Sequence, residues 1–359
     1  MRGSGRGAAR GAGGAALAPQ WRTEVGDAVL VLTVSPDDTW VGVGTATGEV
    51  LLLDAAHGQV VEPWEGHANG ALAAGWSRAS GVLATGGQDG RVCFWLPGEG
   101  PAVAVGDGAP REEGRRALPW VEHVAWSPDG ATCATAAGRH VAIWDHAGRL
   151  LRRCPPFRST VADLQWLPDG ERWSAVGYGG AMVWDRRVET EGEALSWKGS
   201  FLCHAWAPTG KWLAAGMQES AVHIFEVRTK GDLEMSGYAM KVQRLSWSAD
   251  GSRMITSGGP YGTVWNFSGK GPAGTRPVSL PGHVQPVSDV QFWGRGLWVA
   301  TGAEDGQVLV WDLTTSSKVA RGAGLVSSPV TRLAWHHRER RLVSGHLSGW
   351  VVGWPLVRG

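Results

Sequence analysis

An alternating apolar–polar run ending in an aromatic residue, often followed by Asp, recurs along the chain. It reads VLLLD at 50–54, VCFW at 92–95, VAIWD at 141–145 and AMVWD at 181–185. It continues as VHIFE at 222–226, VWNFS at 264–268, VLVWD at 308–312 and VVGW at 351–354. The end positions are Leu53, Trp95, Trp144, Trp184, Phe225, Phe267, Trp311 and Trp354, spaced 40 to 49 residues apart. A second element stands 18 to 20 residues upstream of each. It is an alternating strand closing on Val34, Trp76, Trp126, Trp166, Trp206, Trp247, Phe292 or Trp335, followed in most copies by a polar turn such as Ser127-Pro128-Asp129-Gly130. Proline fixes φ and glycine accepts φ > 0, so Pro-Asp-Gly between two such runs is a tight reversal. Strand, turn, strand at this rhythm predicts an antiparallel, all-β chain.

A period of about forty residues with four strands matches one blade of a propeller. Two copies carry the same polar set at the same offsets: His67, Thr85, Asp89 and Trp95, then His283, Thr301, Asp305 and Trp311. Gly66 and Gly282 precede the histidines. With these residues the chain resembles the WD40 family over residues 16 to 357. The resemblance implies that His, Thr, Asp and Trp form a hydrogen-bonded chain pinning each blade's loops to its third strand. A buried indole N–H needs an acceptor and a buried carboxylate needs donors, so the chemistry is consistent. Ser174, Ser257 and Ser344 hold the Ser/Thr position elsewhere, with Tyr178, Tyr261 and Ser348 in place of Asp. The first, third and fifth copies keep almost none of the set.

Eight upstream elements pair with eight downstream ones. The expectation is a closed WD40 β-propeller of eight four-stranded blades. The alternative is seven, with the first repeat disordered or degenerate. Too few residues follow Trp354 for a further strand, so the segment Leu17–Thr23 is expected to supply the last blade's outer strand. Closing the ring this way hides strand edges.

Composition fits this picture. The 54 Gly suit many tight turns, and 22 Trp against 3 Tyr and 6 Phe suit one aromatic reused at fixed positions. Net charge is +1, which gives no whole-protein attraction to nucleic acid or an anionic membrane. Arg2, Arg6 and Arg10 among glycines leave a nucleic-acid-associated adaptor as an alternative. Residues 1–15 are expected to be a flexible Gly/Arg tail and residues 16–359 a single propeller domain. Cys93, Cys133, Cys154 and Cys203 form no C-x-x-C pair and read as strand thiols in a reducing compartment. No apolar run reaches 18 residues, so no membrane span is expected, and the location expected is cytoplasmic.

Motifs for chemistry are mostly missing. Gly210-Lys211 and Gly269-Lys270 lack the rest of a phosphate-binding loop. His336-His337 would point to opposite faces of a strand and reads as a turn, not a metal pair. His123, His204 and His346 likewise read as strand or turn residues. No cofactor, metal or catalytic residue is expected, and the function expected is a non-catalytic protein–protein interaction scaffold. A propeller enzyme or cofactor-binding protein is the other alternative. The resemblance implies partner contacts on the upper face at three positions per blade. These are Trp120 and Glu122, Lys241 and Gln243, Ser200 and Leu202, and the residues before the turn, Gln88, Gln218 and Glu304. Trp120 is the foremost of them, since exposed Trp is enriched in hot spots. The competing reading packs it against a neighbouring blade. The charged insertion at 111–116 precedes it, as a gripping loop or a solvated one. The protein partner is not named by the sequence, and the chain is expected as a monomer alone or as a subunit of a larger complex.

Overall fold

The computed structural model describes residues 15–100, 102–110, 117–188, 192–315, 317–322 and 326–356, and every regular element among them is a β-strand. Residues 1–14 of the expected flexible tail, the charged insertion at 111–116 and the last residues lie outside the described residues, while Ala15 belongs to a short strand. The first repeat shows the plan: Val29–Val34, Trp40–Thr45, Val50–Asp54 and Val60–Trp64 pair antiparallel in chain order.

The third strand shows why the repeat cannot stand alone. Leu51 and Leu53 face one way and join Val343 and Val351 of the eighth repeat. Val50 and Leu52 face the other way and join Leu83 and Trp95 of the second. A strand covered on both sides reads as a continuous apolar run, which is why VLLL does not alternate. Leu52 and Leu53 are fully buried, and burying each such side chain contributes about 1.5–3 kcal/mol. An apolar cluster of this kind fills each junction between consecutive repeats.

Innermost strands touch in sequence. Val29–Val34 meets Ala71–Trp76, and the contacts pass through Val121–Trp126, Asp163–Trp166, the second half of Glu193–Trp206, Leu245–Trp247, Val287–Phe292 and Val330–Trp335 back to Val29–Val34. The circuit is closed, as a β-propeller requires.

Hydrogen bonding divides the strands into seven sheets, which corrects the expectation of eight separate ones. The cause is strand continuity. Glu193–Trp206 pairs with the hairpin Arg172–Asp185 through its first half and with Trp212–Met217 through its second, so the fourth and fifth repeats share a six-stranded sheet. The count agrees with the seven-blade alternative, which located the defect differently. The first repeat, which it took as disordered or degenerate, is an intact four-stranded sheet.

The ring is joined by the N-terminal segment, slightly displaced from its expected span. Trp21–Glu24 pairs antiparallel with Trp350–Gly353 as the outer strand of the eighth repeat. Its side chains reach the first repeat: Trp21 Nε1 donates to Ala55 O at 3.1 Å and Gln20 Nε2 to Ala56 O at 2.9 Å. Leu17 is not in that strand. It is buried between the seventh and eighth repeats, just after Ala15–Ala16 pairs parallel with Ala320–Arg321.

First-strand tryptophans stitch neighbours together. Trp126 Nε1 donates to Gly75 O at 2.8 Å, Trp166 to Ala125 O at 3.0 Å, Trp247 to Ala205 O at 3.2 Å and Trp335 to Gln291 O at 2.9 Å. Each acceptor precedes the first-strand aromatic of the repeat before. One position thus fills the core and satisfies a carbonyl of the adjacent sheet, a physical use for so many Trp residues.

Candidate protein-interaction face

One end of the ring carries the loops that enter each first strand and the turns that join second strand to third. A backbone bond ties the two at a constant offset. Ala46 N donates to Ala28 O, Gln88 N to Gly70 O, Gln218 N to Ser200 O, Glu304 N to Pro286 O and Leu347 N to Pro329 O, all at 2.9–3.0 Å. This end is the upper face.

The second repeat adds a side-chain chain beneath it. Trp95 Nε1 donates to Thr85 Oγ1 at 2.8 Å, so the threonine hydrogen is free for His67 Nε2 at 2.9 Å. That leaves the proton on His67 Nδ1, which donates to Asp89 Oδ1 at 3.0 Å. Asp89 also accepts from the backbone N–H of Ala68 and Arg91. Burial alone raises its pKa, but these bonds outweigh that and hold the carboxyl below its ordinary range. In the seventh repeat His283 meets Thr301 at 2.8 Å and Asp305 at 3.2 Å. The fourth link expected there is missing: Trp311 Nε1 is buried with no acceptor among the described residues.

Other repeats rebuild the chain from different residues. The third keeps the link farthest from the upper face, with Trp144 Nε1 donating to Thr135 Oγ1 at 2.8 Å. In the sixth, Tyr238 stands where the histidine stands in the second. Its hydroxyl accepts from Thr256 Oγ1 at 2.9 Å and Trp265 Nε1 at 2.7 Å. The operative pair is therefore Thr256 and Trp265, not Ser257 and Phe267. Cross-strand pairing of Trp265 with Met254 sets that register. In the eighth, Ser344 accepts from Trp354 at 2.9 Å and meets His346, which comes from the strand end instead of the entering loop. Ser174 faces the fifth repeat, where it meets His204 Nε2 and Trp206 Nε1, both at 2.8 Å. His204 Nδ1 and its backbone N–H both meet Asp163, at 3.0 and 2.8 Å. Burial raises Asp163, but the His204 charge and bonds bring it down to about 2. Asp289 plays the same part between seventh and eighth repeats, accepting from Leu333 N at 2.7 Å. Here burial wins over Arg244 and Arg332, and its pKa is raised. His336-His337 forms a turn: the backbone N–H of His337 donates to Asp38 of the first repeat at 2.6 Å.

Of the partner-contact candidates, Trp120, Glu122, Lys241, Gln243, Gln218 and Glu304 are exposed, while Gln88, Ser200 and Leu202 are half-buried. Lys241, Gln243 and Glu304 come together around one cavity of about 140 Å³, beside Met240 and Arg244. Glu122 lies apart, on a cavity of about 190 Å³ with His123, Asp163 and Arg332. Gln88 lines a groove of about 1030 Å³ over the first three repeats. Trp120 is 51% exposed. Sequence reasoning missed Met240, Tyr261, Val284 and Leu347 as surface groups. They sit with Tyr178 on upper loops and turns, all exposed. Their signal was an apolar residue at or beside a turn position where the repeat elsewhere carries Asp or a small residue. Among the described residues no group of three His, Cys, Asp or Glu is placed to hold a metal ion. No described helix is long and apolar enough to cross a membrane.

This closed circuit of antiparallel sheets, with its loop-to-strand hydrogen-bond chains, defines an all-β propeller of the WD40 type. WD40 repeats occur at three places in the chain: residues 58–95, 117–145 and 274–312 match the family described as "WD domain, G-beta repeat". The chain is 25% identical over 240 residues to a WD repeat-containing protein WDS homolog of Arabidopsis thaliana, covering 62% of this chain and 44% of that protein. It is 24% identical over 285 residues to anaphase-promoting complex subunit cdh1 of Dictyostelium discoideum, covering 68% and 36%. A shorter match, 35% over 118 residues, joins it to target of rapamycin complex subunit wat1 of Schizosaccharomyces pombe, covering 32% and 36%. The matched region thus spans less than half the length of these curated relatives. Among solved structures, the computationally designed Ika8 protein has the same fold, with a TM-score of 0.75 at 21% identity over 94% of this chain and 99% of that one.

Proposed function

We propose that this chain is a non-catalytic scaffold that binds a protein partner on its upper face. The carrying observation is six large apolar side chains held exposed on the loops of that end: Trp120, Tyr178, Met240, Tyr261, Val284 and Leu347. Exposed apolar groups on a rigid frame among polar neighbours are the pattern of interaction surfaces. The frame is stiff because bonded loops and buried networks fix it. Two of the similar proteins are subunits of an anaphase-promoting complex and of a target of rapamycin complex, which supports a role inside an assembly. Four unpaired, buried cysteines support a reducing, cytoplasmic setting.

The test is affinity purification with wild type and Trp120→Ala. Wild type is expected to retain at least one protein that the variant loses. Retention of the same set by both, or of nothing by wild type, refutes the upper-face assignment at Trp120. Absorbance and elemental analysis of the purified protein separate this reading from a cofactor enzyme.

A further inference from the structure

We infer that the cavity between the sixth and seventh repeats receives an oxyanion, a carboxylate or a phosphate, carried by a partner's peptide segment. The inference rests on the upper-face reading and names the group that one pocket of that face takes. The sixth repeat departs from the bond that ties turn to loop elsewhere. In five other repeats the turn's N–H donates to the loop's carbonyl, as Glu304 N does to Pro286 O. In the sixth the direction is reversed, and Met240 N donates to Gly258 O at 3.1 Å. The N–H groups of Gly258 and Gly259 are left without an acceptor among the described residues, and both residues are buried. Buried amides without partners are rare, so two in succession on the wall of a cavity mark a place for an acceptor from outside. The backbone there demands glycine: φ is 134° at Gly258 and 148° at Gly259, and a Cβ on Gly258 would stand 2.5 Å from the Tyr238 ring.

The rest of the lining adds donors. The cavity, about 140 Å³, is walled by the two glycines with Lys241, Arg244, Ser257 and Glu304. Arg244 donates to the neighbouring Gln243 O at 2.9 Å, and Asp289 stands 3.8 Å from its Nε with both oxygens already taken by Val290 N and Leu333 N. The remaining guanidinium donors have no hydrogen-bond acceptor among the described residues. Ser257 Oγ accepts from the backbone N–H of Gln243 and Arg244, and its own hydrogen is likewise without an acceptor among them. Lys241 is exposed and has no carboxylate partner among them. Against these donors stands one carboxylate on the lining, Glu304. The loops and turns that form the cavity, 236–262 and 281–308, are described throughout, so no charged side chain of theirs escapes this count. The volume holds a carboxylate or phosphate group and falls short of the roughly 300 Å³ at which small-molecule sites begin, so the anion enters as an end group. Met240 on the lining, Tyr261 on the same turn and Val284 on the next loop expose apolar surface for the flanks of the segment that carries it.

The experiment is calorimetric titration of the full chain at low salt with octapeptides of alanine, leucine and glycine that carry one central phosphoserine, aspartate or serine. The better of the two acidic peptides is expected to bind about tenfold more tightly than the serine peptide. Whichever acidic peptide binds more tightly names the source, phosphate or carboxylate. Lys241→Gln should weaken the acidic peptide about threefold and Glu304→Gln should strengthen it about threefold, with the serine peptide unmoved by either. Arg244→Gln should cut the acidic preference to about twofold or less. Lys241 and Glu304 are exposed, so the denaturation midpoint should not move in their variants, and they decide the matter even where Arg244→Gln fails to fold. Absence of binding, equal binding of the three peptides, or failure of Lys241→Gln and Glu304→Gln to shift the affinity in opposite directions overturns the inference. Should that happen while Trp120→Ala still loses a protein in the purification above, only the oxyanion pocket falls. If both fail, the upper face itself is the wrong surface.

Discussion

The two His–Thr–Asp sets differ in whether the tryptophan reaches the threonine, and that difference can be measured. Thr85 is 1% exposed, and its hydroxyl serves both Trp95 and His67. Thr85→Val keeps the shape and removes both bonds. Two buried groups, an indole N–H and an imidazole nitrogen, are then unpaired, at about 1–2 kcal/mol each. The new methyl recovers less than about 1 kcal/mol, so the net loss is about 2–3 kcal/mol. Thr301 is equally buried, but Trp311 Nε1 does not reach it as an acceptor, so Thr301→Val strands only His283. Its expected cost is about 1 kcal/mol. Urea denaturation followed by circular dichroism measures both, with the slope checked so that a change in midpoint reads as stability. Equal losses for the two variants, or a loss below about 0.5 kcal/mol for Thr85→Val, would refute the claim that the hydroxyl joins two partners.

Three further outcomes are expected. His223 is fully buried, with neither ring nitrogen bonded, stacked at 3.7 Å on Trp197, and Asp232 is the charged group facing it, at 4.0 Å. Burial pushes its pKa down to about 4, against about 6.5 in the unfolded chain. The unfolded state therefore takes up the proton first, and stability falls as pH drops from 6.5 to 4, by up to about 3 kcal/mol. His223→Phe should flatten that part of the stability–pH curve, and an unchanged curve would contradict the assignment. Trp126→Phe, which removes the N–H donated to Gly75 O but keeps an aromatic ring, should cost about 1–3 kcal/mol in the same denaturation assay. Gly58 has φ of 71°, and a Cβ there would stand 2.2 Å from the Trp21 ring, so Gly58→Ala should destabilise by about 1–3 kcal/mol, read as a lower urea midpoint.

Much of this architecture was legible because it repeats. Spacing located the first-strand aromatics, whose indoles turn out to bridge neighbouring sheets, and the two His–Thr–Asp sets stood out by identical offsets. The sixth repeat was misread for a geometric reason. Trp265 and Phe267 are two residues apart, so a strand sends both to one face, and only pairing with Met254 picks between them. Tyr238 was invisible because a phenol replaced an imidazole at a position known only by counting back from Trp247. The sharing of Glu193–Trp206 between two repeats also escaped notice. Trp197-Lys198-Gly199-Ser200 joins the halves without the longer loop found at other junctions, and strand pairing, not local sequence, decides whether a chain bends or runs on. The upper-face contact positions came from resemblance. Which of them share a cavity depends on ring geometry that no single repeat encodes.

The pairing of Trp21–Glu24 with Trp350–Gly353 also sets a timetable for the protein's birth. Ribosomes make the clasp first and its catch more than three hundred residues later. Until then Gln20 and Trp21 wait beside the first repeat, where Ala56 and Ala55 can already hold them. The nascent ring must remain ajar until that second strand is made, with two raw sheet margins showing. Quality control in the cell would meet this protein chiefly in that interval, and a ribosome stalled before Trp350 would release a product that cannot shut.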